Sequence, residues 1–515
     1  MGEIGNSHGT AGAAGVVERR NRRRELGLVL LLLAAVLVAN LVTASRSPTV
    51  WIDEVFYSEP AVNLYLSGHF ASAAQVVQPA DSFWAANTPL HQVVLFGWLK
   101  VFGFGLVSVR AFDYVLASLA VFLLSLAVRR EGFVPQVRDR LWMALLCLGG
   151  YSVAFAYRGA RPDVVGIAVF AGAAASFSAR GRVARRLLLF ALGALVPLAG
   201  LQLLPFFGIL ALTVLWFRRR AALADVVSFF AGLLTGGLGL LLVYQHEGVL
   251  GYFIKLFRFT AVGTASKSRI SGLATSFVQD PSYIVAMLAA AGLACLSAAR
   301  ETGARRPLVL GLILGAAIPV ALHLTGVYPL YYCWMGFMPL AILLCVGRAR
   351  MRKAGLLPRW SSVALFAIVG VGLPLRLAVT VLQWSQRSYA PVEQLVRANV
   401  SGQDVALVSP AAYYAVRTVA RRTLYDGFKT SRDGADAILT PEERRSITRL
   451  VVSPARYDDL TGILGSAWRK VSSTEPAPTQ WRWLPGQRLH SLAASYDLAV
   501  YARTPGERKD AGPTP

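Results

Sequence analysis

The stretch 19-RRNRRRELGLVLLLLAAVLVANLVTASRSPTVWIDEVF-56 runs from a block of arginines through an unbroken apolar segment to an adjacent pair of acids. Its apolar part, about 26–44, is long enough to cross a hydrocarbon core, which takes roughly 20 residues of helix. Arginines gather on the cytoplasmic side of such a span, so the N-terminus lies inside and Asp53 and Glu54 emerge outside. The same grammar repeats along the chain. Further apolar segments lie at about 107–128, 140–157, 162–179, 186–201, 203–217, 224–244, 282–299, 306–323, 330–347 and 361–383, which predicts about eleven membrane helices.

Composition agrees with this reading. The 515 residues are 55% hydrophobic and 16% charged, too apolar and too sparsely charged for a soluble chain of this length. The net charge of +24 would suit a nucleic-acid binder, but its placement argues for orientation instead. Clusters at 19-RRNRRR-24, 129-RREGFVPQVRDR-140, 180-RGRVARR-186, 218-RRR-220, 300-RETGARR-306 and 348-RARMRKAGLLPR-359 all fall on the side of the N-terminus. That side carries about 24 Lys and Arg, and the opposite membrane loops carry about eight. The loops 45–106, 158–161, 245–281 and 324–329 are therefore outside, and an odd number of spans puts 384–515 outside too. Cys147, Cys295, Cys333 and Cys345 lie in or beside predicted spans, so nothing implies a disulfide framework. The basic start and 43-TAS-45 have the look of a leader peptide, but the apolar run is long for one, which favours an uncleaved anchor.

Residues 1–25 read as a disordered cytoplasmic N-terminus, 26–383 as the membrane region, and 384–515 as an extracytoplasmic α/β domain. The loop 45–106 is too long for a bare connection and should carry structure. Within it, Ser58 or Glu59 followed by Pro60 reads as a helix start, with Gly68 as the stop. A second amphipathic helix is expected over 90–103, and a third over 249–262 in the other structured loop, 245–281. The tail alternates strand-like 405–410, helix-like 411–422, strand-like 449–453, helix-like 456–468 and strand-like 496–503. It has no Gly-rich phosphate loop, so no nucleotide is assigned to it.

Adjacent Asp53 and Glu54 repel one another at low dielectric and need cations or hydrogen bonds to hold them. One of them, kept ionised, is a candidate general base; a helix cap is the plainer role. Arg110, in 107-VSVRAFD-113, sits at a span mouth and either meets an anion or snorkels. The motif 157-YRGARPDVVG-166 sets Arg158, Arg161 and Asp163 at a junction of two spans, as a tight turn with an Arg–Asp pair or as a grip on a lipid phosphate. Lys267 and Arg269 could serve that phosphate as well. Arg376, inside the last span, must find a partner or reach the interface. Glu59 belongs to the same acidic loop. His246 beside Glu247 could offer metal ligands, though two residues make a weak site. An outward cavity with acids at its roof and cations at its rim suits an enzyme acting on a lipid phosphate, or a transporter of an anionic solute. The long structured first loop favours the enzyme, because transporters hold substrate nearer the midplane.

At this point the motifs resemble those of the GT-C glycosyltransferases that use polyprenyl-phosphate sugars, among them protein O-mannosyltransferases and lipid A aminoarabinose transferases. The resemblance rests on Asp53-Glu54 after the first span, 57-YSEPAVNLYLSG-68, 89-PLHQVVLFGWLKVFG-103, Ser108 with Arg110, Arg161-Pro162-Asp163, and 328-YPLYY-332 (holding Tyr331 and Tyr332) ahead of Met338-Pro339-Leu340. It covers roughly 26–383. It implies a polytopic α-helical membrane protein of GT-C type with about 11 transmembrane helices, amphipathic periplasmic loop helices and a small C-terminal α/β domain. The implied activity is inverting sugar transfer from a polyprenyl-monophosphate donor to an extracytoplasmic lipid, polysaccharide or protein acceptor in a bacterial inner membrane. Asp53 would be the base, Glu54 its catalytic neighbour, and Arg110 a contact to the donor phosphate. Where the aminoarabinose branch has acid and lysine, this chain has 86-ANT-88, so a divalent metal and the sugar identity stay open. The other reading is a transporter or flippase of a lipid-linked glycan; a non-catalytic scaffold is the third.

Overall fold

The structure, a computed structural model, describes residues 8–74, 78–79, 81–218, 220–265, 279–324, 330–426, 439–464, 468–475 and 496–504. The first helices are α1 (His8–Thr43), α2 (Ile52–Ser67), α3 (Leu90–Phe102), α4 (Leu106–Arg130), α5 (Val137–Gly149), α6 (Tyr151–Arg158) and α7 (Asp163–Phe177). They are followed by α8 (Arg182–Ala199), α9 (Leu203–Arg218), α10 (Arg220–His246), α11 (Leu250–Ala265), α12 (Pro281–Ala299), α13 (Arg305–Leu324) and α14 (Trp334–Lys353). The chain continues through α15 (Ser361–Val369), α16 (Gly372–Leu382), α17 (Ala390–Asn399), α18 (Tyr413–Arg417), α19 (Pro441–Ser446) and α20 (Pro454–Leu464).

Every one of the eleven apolar segments is helical, but helix length and composition alone do not reproduce eleven crossings. Among the described residues, six helices are long and apolar enough to cross a membrane, or eight if the bent pairs α5–α6 and α15–α16 each make one crossing. The pairs bend by 64° and 63°. Of the remainder, α7 and α9 are shorter apolar helices, and α8 opens on Arg182, Arg185 and Arg186. Hydropathy counts apolar runs and cannot see that a run is broken or short.

Helices α8 and α10 pack backbone to backbone. A Cβ placed on Gly193 would collide with the Phe229 carbonyl, one on Gly232 with that of Phe190, and one on Gly236 with that of Ala194. Lipid supplies no hydrophobic drive between helices, so close approach through small residues carries the association. Replacing Gly236 with leucine meets backbone that cannot rotate aside. We expect a cost at or above the usual overpacking range of about 1–3 kcal/mol, read as a lower midpoint of thermal unfolding in detergent; an unchanged midpoint would argue against this contact.

The C-terminal region forms a five-stranded sheet from β1 (Val405–Val408), β2 (Arg422–Tyr425), β3 (Arg449–Val452), β4 (Trp468–Ser473) and β5 (Ala499–Arg503). The order is β2-β1-β3-β5-β4. Strands β2, β1 and β3 are parallel, while β5 runs antiparallel to both β3 and β4. The expected strands at 405–410, 449–453 and 496–503 are present in shorter form. The expected helix 411–422 is only a 3₁₀ turn and α18, after which the chain turns into β2; β4 was not anticipated. Both missed strands lack a clean apolar alternation: β4 is mostly exposed along Arg469-Lys470-Val471.

One face of the sheet packs on the first long loop. Val408, Tyr413, Tyr414, Tyr425 and Val451 share a buried cluster with Val55, Ala61 and Val62 of α2 and Leu95 and Leu99 of α3. A fully buried side chain of this size contributes about 1.5–3 kcal/mol, so the cluster fixes α2 between the helical bundle and the sheet. Polar ties add direction. The Tyr414 and Ser58 hydroxyls lie 3.2 Å apart, and the Val50 N–H donates to the Tyr496 hydroxyl at 3.2 Å.

Candidate active site

Trp51 is extended, with φ −134° and ψ 169°, and the helix starts directly after it. Asp53 and Glu54 thus occupy the first turn of α2, where the helix dipole favours carboxylates. This corrects the expected start at Ser58 or Glu59: Pro60 lies inside α2, and Gly68, with φ 77°, ends it as anticipated. Successive helical residues point about 100° apart, so the two acids face different partners. Each has its own arginine.

Glu54 turns inward. Its two oxygens accept from Nε and Nη2 of Arg110, both at 2.7 Å, and both side chains are fully buried. The remaining Arg110 nitrogen, Nη1, donates to the Ala44 carbonyl. Arg110 thereby fastens α4 to α2 and to the end of α1, with each of its nitrogens engaged.

Asp53 is the other case. It pairs with Arg161 while keeping about a fifth of its side chain (22%) accessible. Glu54, Glu59, Asp113 and Asp163, the other acids nearby, are buried. Arg161 is held from four directions. Its Nε donates to Asp163 at 2.8 Å, and its backbone N–H donates to Asp113 at 2.9 Å. Its guanidinium lies 3.6 Å over the Tyr331 ring, with the Tyr57 and Trp51 rings at 5.3 and 5.4 Å. Burial works against the Arg161 charge, but Asp163 and Asp53, with the Tyr57 and Tyr331 hydroxyls, outweigh it, and the group is held firmly protonated. Burial also pushes the Tyr57 phenol up, against the pull of Arg161, so it stands neutral; it accepts from the Asn87 amide at 3.2 Å. Ala160, just before Arg161, is left-handed with φ 47°, an uncommon state for a residue with a Cβ and one that collects at functional sites.

The remaining candidates separate clearly. Arg158 is buried and donates to the Asn40 and Thr43 side chains and the Ser47 carbonyl. Arg376 lies over Tyr151 and Phe155, away from Asp53. Glu59 accepts from the Ser72 hydroxyl and the Ala74 N–H, tying the loop back to α2. Tyr332 packs edge-on against Tyr331. His246 is exposed at the end of α10, with exposed Glu247 next to it. Among the described residues no three His, Cys, Asp or Glu side chains are grouped so as to hold a metal. Lys267 and Arg269 lie outside the described residues.

The sequence reading missed Asp113 and His91. His91 Nε2 lies 3.3 Å from Asp113, joining α3 to α4 behind Arg161. The signal was present: Asp113 shares the motif that gave Arg110. Farther along α2 a polar cleft of about 350 Å³ opens between the first loop and the sheet. It is lined by Glu59, Asn63, His69 and Asp81 on one side and by Arg417 and Arg421 on the other.

No protein-family model matches this sequence, and no curated protein does. Among solved structures, it superposes on ArnT from Cupriavidus metallidurans bound to undecaprenyl phosphate with a TM-score of 0.57. The match spans 95% of this chain and 99% of ArnT at 17% identity. The chain has the membrane fold of ArnT. Apo ArnT from the same organism matches at a TM-score of 0.39 and 14% identity, over 92% of this chain and 98% of ArnT. The mycobacterial arabinofuranosyltransferase AftD matches at 0.47 and 15% identity, over 93% of this chain but 40% of AftD. Within this fold, Asp53, Arg161 and Tyr331 sit where the first loop meets the helical bundle.

Proposed function

We propose that the protein is an inverting glycosyltransferase that moves a sugar from a polyprenyl monophosphate to an acceptor outside the cytoplasmic membrane of a bacterium. The observation that carries this is the half-open Asp53–Arg161 pair at the head of α2: one accessible carboxylate among buried ones, backed by a caged cation, in a fold shared with a protein that binds undecaprenyl phosphate. Asp53 takes the proton from the acceptor hydroxyl or amine as that nucleophile attacks the anomeric carbon. The bond from that carbon to the phosphate oxygen breaks on the opposite face, and the polyprenyl phosphate leaves with the electron pair. Arg161 keeps Asp53 in place and adds positive potential where the leaving phosphate gains charge; Lys267 and Arg269 are the further cations assigned to that phosphate. Arg110 becomes a positioning residue that holds Glu54 and α2, in place of a direct donor contact. Glu54 then acts through that latch. The acceptor approaches along the cleft beside Glu59, Asn63 and Arg417, which gives residues 384–515 a part in its recognition. The excess of Lys and Arg at the other end of the bundle supports placing Asp53 outside.

The test is a turnover assay with purified protein, a radiolabelled polyprenyl-monophosphate sugar and envelope extract. Release of free polyprenyl phosphate together with label in an acceptor is expected. Movement of intact donor across vesicles without cleavage would replace this reading with a flippase.

A further inference from the structure

Three arginines at the Asp53 end of the bundle share no acid. Arg158 ends α6, Arg376 lies in α16, and Arg387 follows α16; all three are buried, at 1%, 6% and 3% exposure. Among the described residues none of them forms an ion pair. Arg158 meets neutral acceptors alone. Arg387 donates from Nε to the Gln383 amide oxygen at 2.8 Å. Arg376 has aromatic faces on Tyr151 and Phe155, at 4.6 and 5.2 Å, and among the described residues its Nε has no hydrogen-bond acceptor. Each also keeps a buried N–H with no partner: Nε of Arg158, Nε of Arg376 and Nη2 of Arg387.

They sense one another. Burial pushes Arg387 down to about 10; Tyr496 opposes this, and the charges of Arg376 and Arg158 add to it. The carboxylate whose field reaches Arg376 is Asp280, and its oxygens are taken by the backbone N–H groups of Ser152 and Tyr283. A fourth arginine, Arg46, lies at the edge, stacked 3.9 Å from the Trp384 ring and donating to the Trp384 carbonyl at 3.2 Å. Burying like charges without an anion is expensive, and among the described residues no carboxylate pairs with this cluster.

The position selects the anion. Leu375, Val381 and Leu382 form an exposed apolar strip on α16, whose other face buries Arg376. Exposed Trp384, stacked on Arg46, follows at the edge of the cluster, a tryptophan at the level where such rings sit in a bilayer. We propose that Arg158, Arg376 and Arg387, rimmed by Arg46, bind the phosphate of a membrane lipid whose chains lie along this strip. The site is distinct from the Asp53–Arg161 pair. The rings of Phe155 and Trp51, in edge contact at 5.4 Å, stand between Arg376 and Arg161. The proposal does not depend on the transfer reaction.

The experiment compares full-length wild type, R376Q/R387Q, R376K/R387K and D53N in detergent. Binding of dihexanoyl phosphatidic acid, dihexanoyl phosphatidylcholine, undecaprenyl phosphate and inorganic phosphate is followed by thermal unfolding and native mass spectrometry. Phosphatidic acid should bind wild type and D53N alike and bind R376Q/R387Q at least tenfold more weakly, whereas undecaprenyl phosphate, which the proposed donor site also holds, should still bind R376Q/R387Q. The lysine pair should retain most of the affinity, which separates lost charge from lost folding. Equal binding by wild type and R376Q/R387Q would overturn the site. Inorganic phosphate binding as tightly as the lipids would overturn the lipid assignment. Loss of binding in D53N would move the ligand to the Asp53–Arg161 pair and end the proposal.

Discussion

Asp53→Asn is expected to reduce sugar transfer by about 10²–10⁴-fold, the usual contribution of a positioned general base, while leaving the fold intact. The second half of that statement follows from the pairing around Arg161. Removing the Asp53 charge leaves this buried guanidinium with Asp163 at 2.8 Å, the Tyr331 face and the cage of Trp51 and Tyr57. Arg161 therefore keeps a counter-ion, and the large penalty for a stranded buried charge does not arise. Asparagine is close in size and still accepts a hydrogen bond from Arg161. The measurement is the single-turnover rate at saturating donor, paired with thermal unfolding of the same preparation. A rate within tenfold of wild type would remove Asp53 as the base, and a collapse of the unfolding midpoint would recast it as structural.

The fold was legible wherever physics acts locally. Apolar runs of membrane length and alternating basic loops identify a helical membrane protein, because the bilayer imposes both independently of partner residues. The glycine stop at Gly68 and the helix Leu90–Phe102 were legible for the same reason. Pro60 misled because proline at a first helical position is a preference, while the helix start is set by Trp51 and by acids that suit the first turn. The site was legible as an inventory and not as a pairing. Asp53, Glu54, Arg110 and Arg161 stand out as charges beside apolar spans. Yet Glu54 meets an arginine 56 positions away and Asp53 one 108 positions away. No local pattern says which carboxylate takes which guanidinium, so the pairing of Arg110 with Glu54 is visible only in the fold.

The buried Glu54–Arg110 pair makes the second large prediction. Glu54→Gln leaves Arg110 buried and charged with no carboxylate, and breaking a buried pair from one side typically costs about 3–5 kcal/mol. Against a total stability of about 5–15 kcal/mol, this should show as poor yield and an early unfolding transition. Arg110→Met strands Glu54 in the same way and should be similarly severe. The double variant Glu54→Gln with Arg110→Met removes both charges and keeps comparable volume, so it should recover much of the loss. The coupling obtained from the four proteins should lie well above the few tenths of a kcal/mol seen for independent sites. If Arg110 gripped the donor phosphate directly, the recovered double variant would still bind donor poorly. If Arg110 only fastens α4 to α2, that variant binds donor close to wild type, and its transfer rate depends on how well α2 still presents Asp53. A double variant no more stable than either single one would show that the pair is not the latch between these helices.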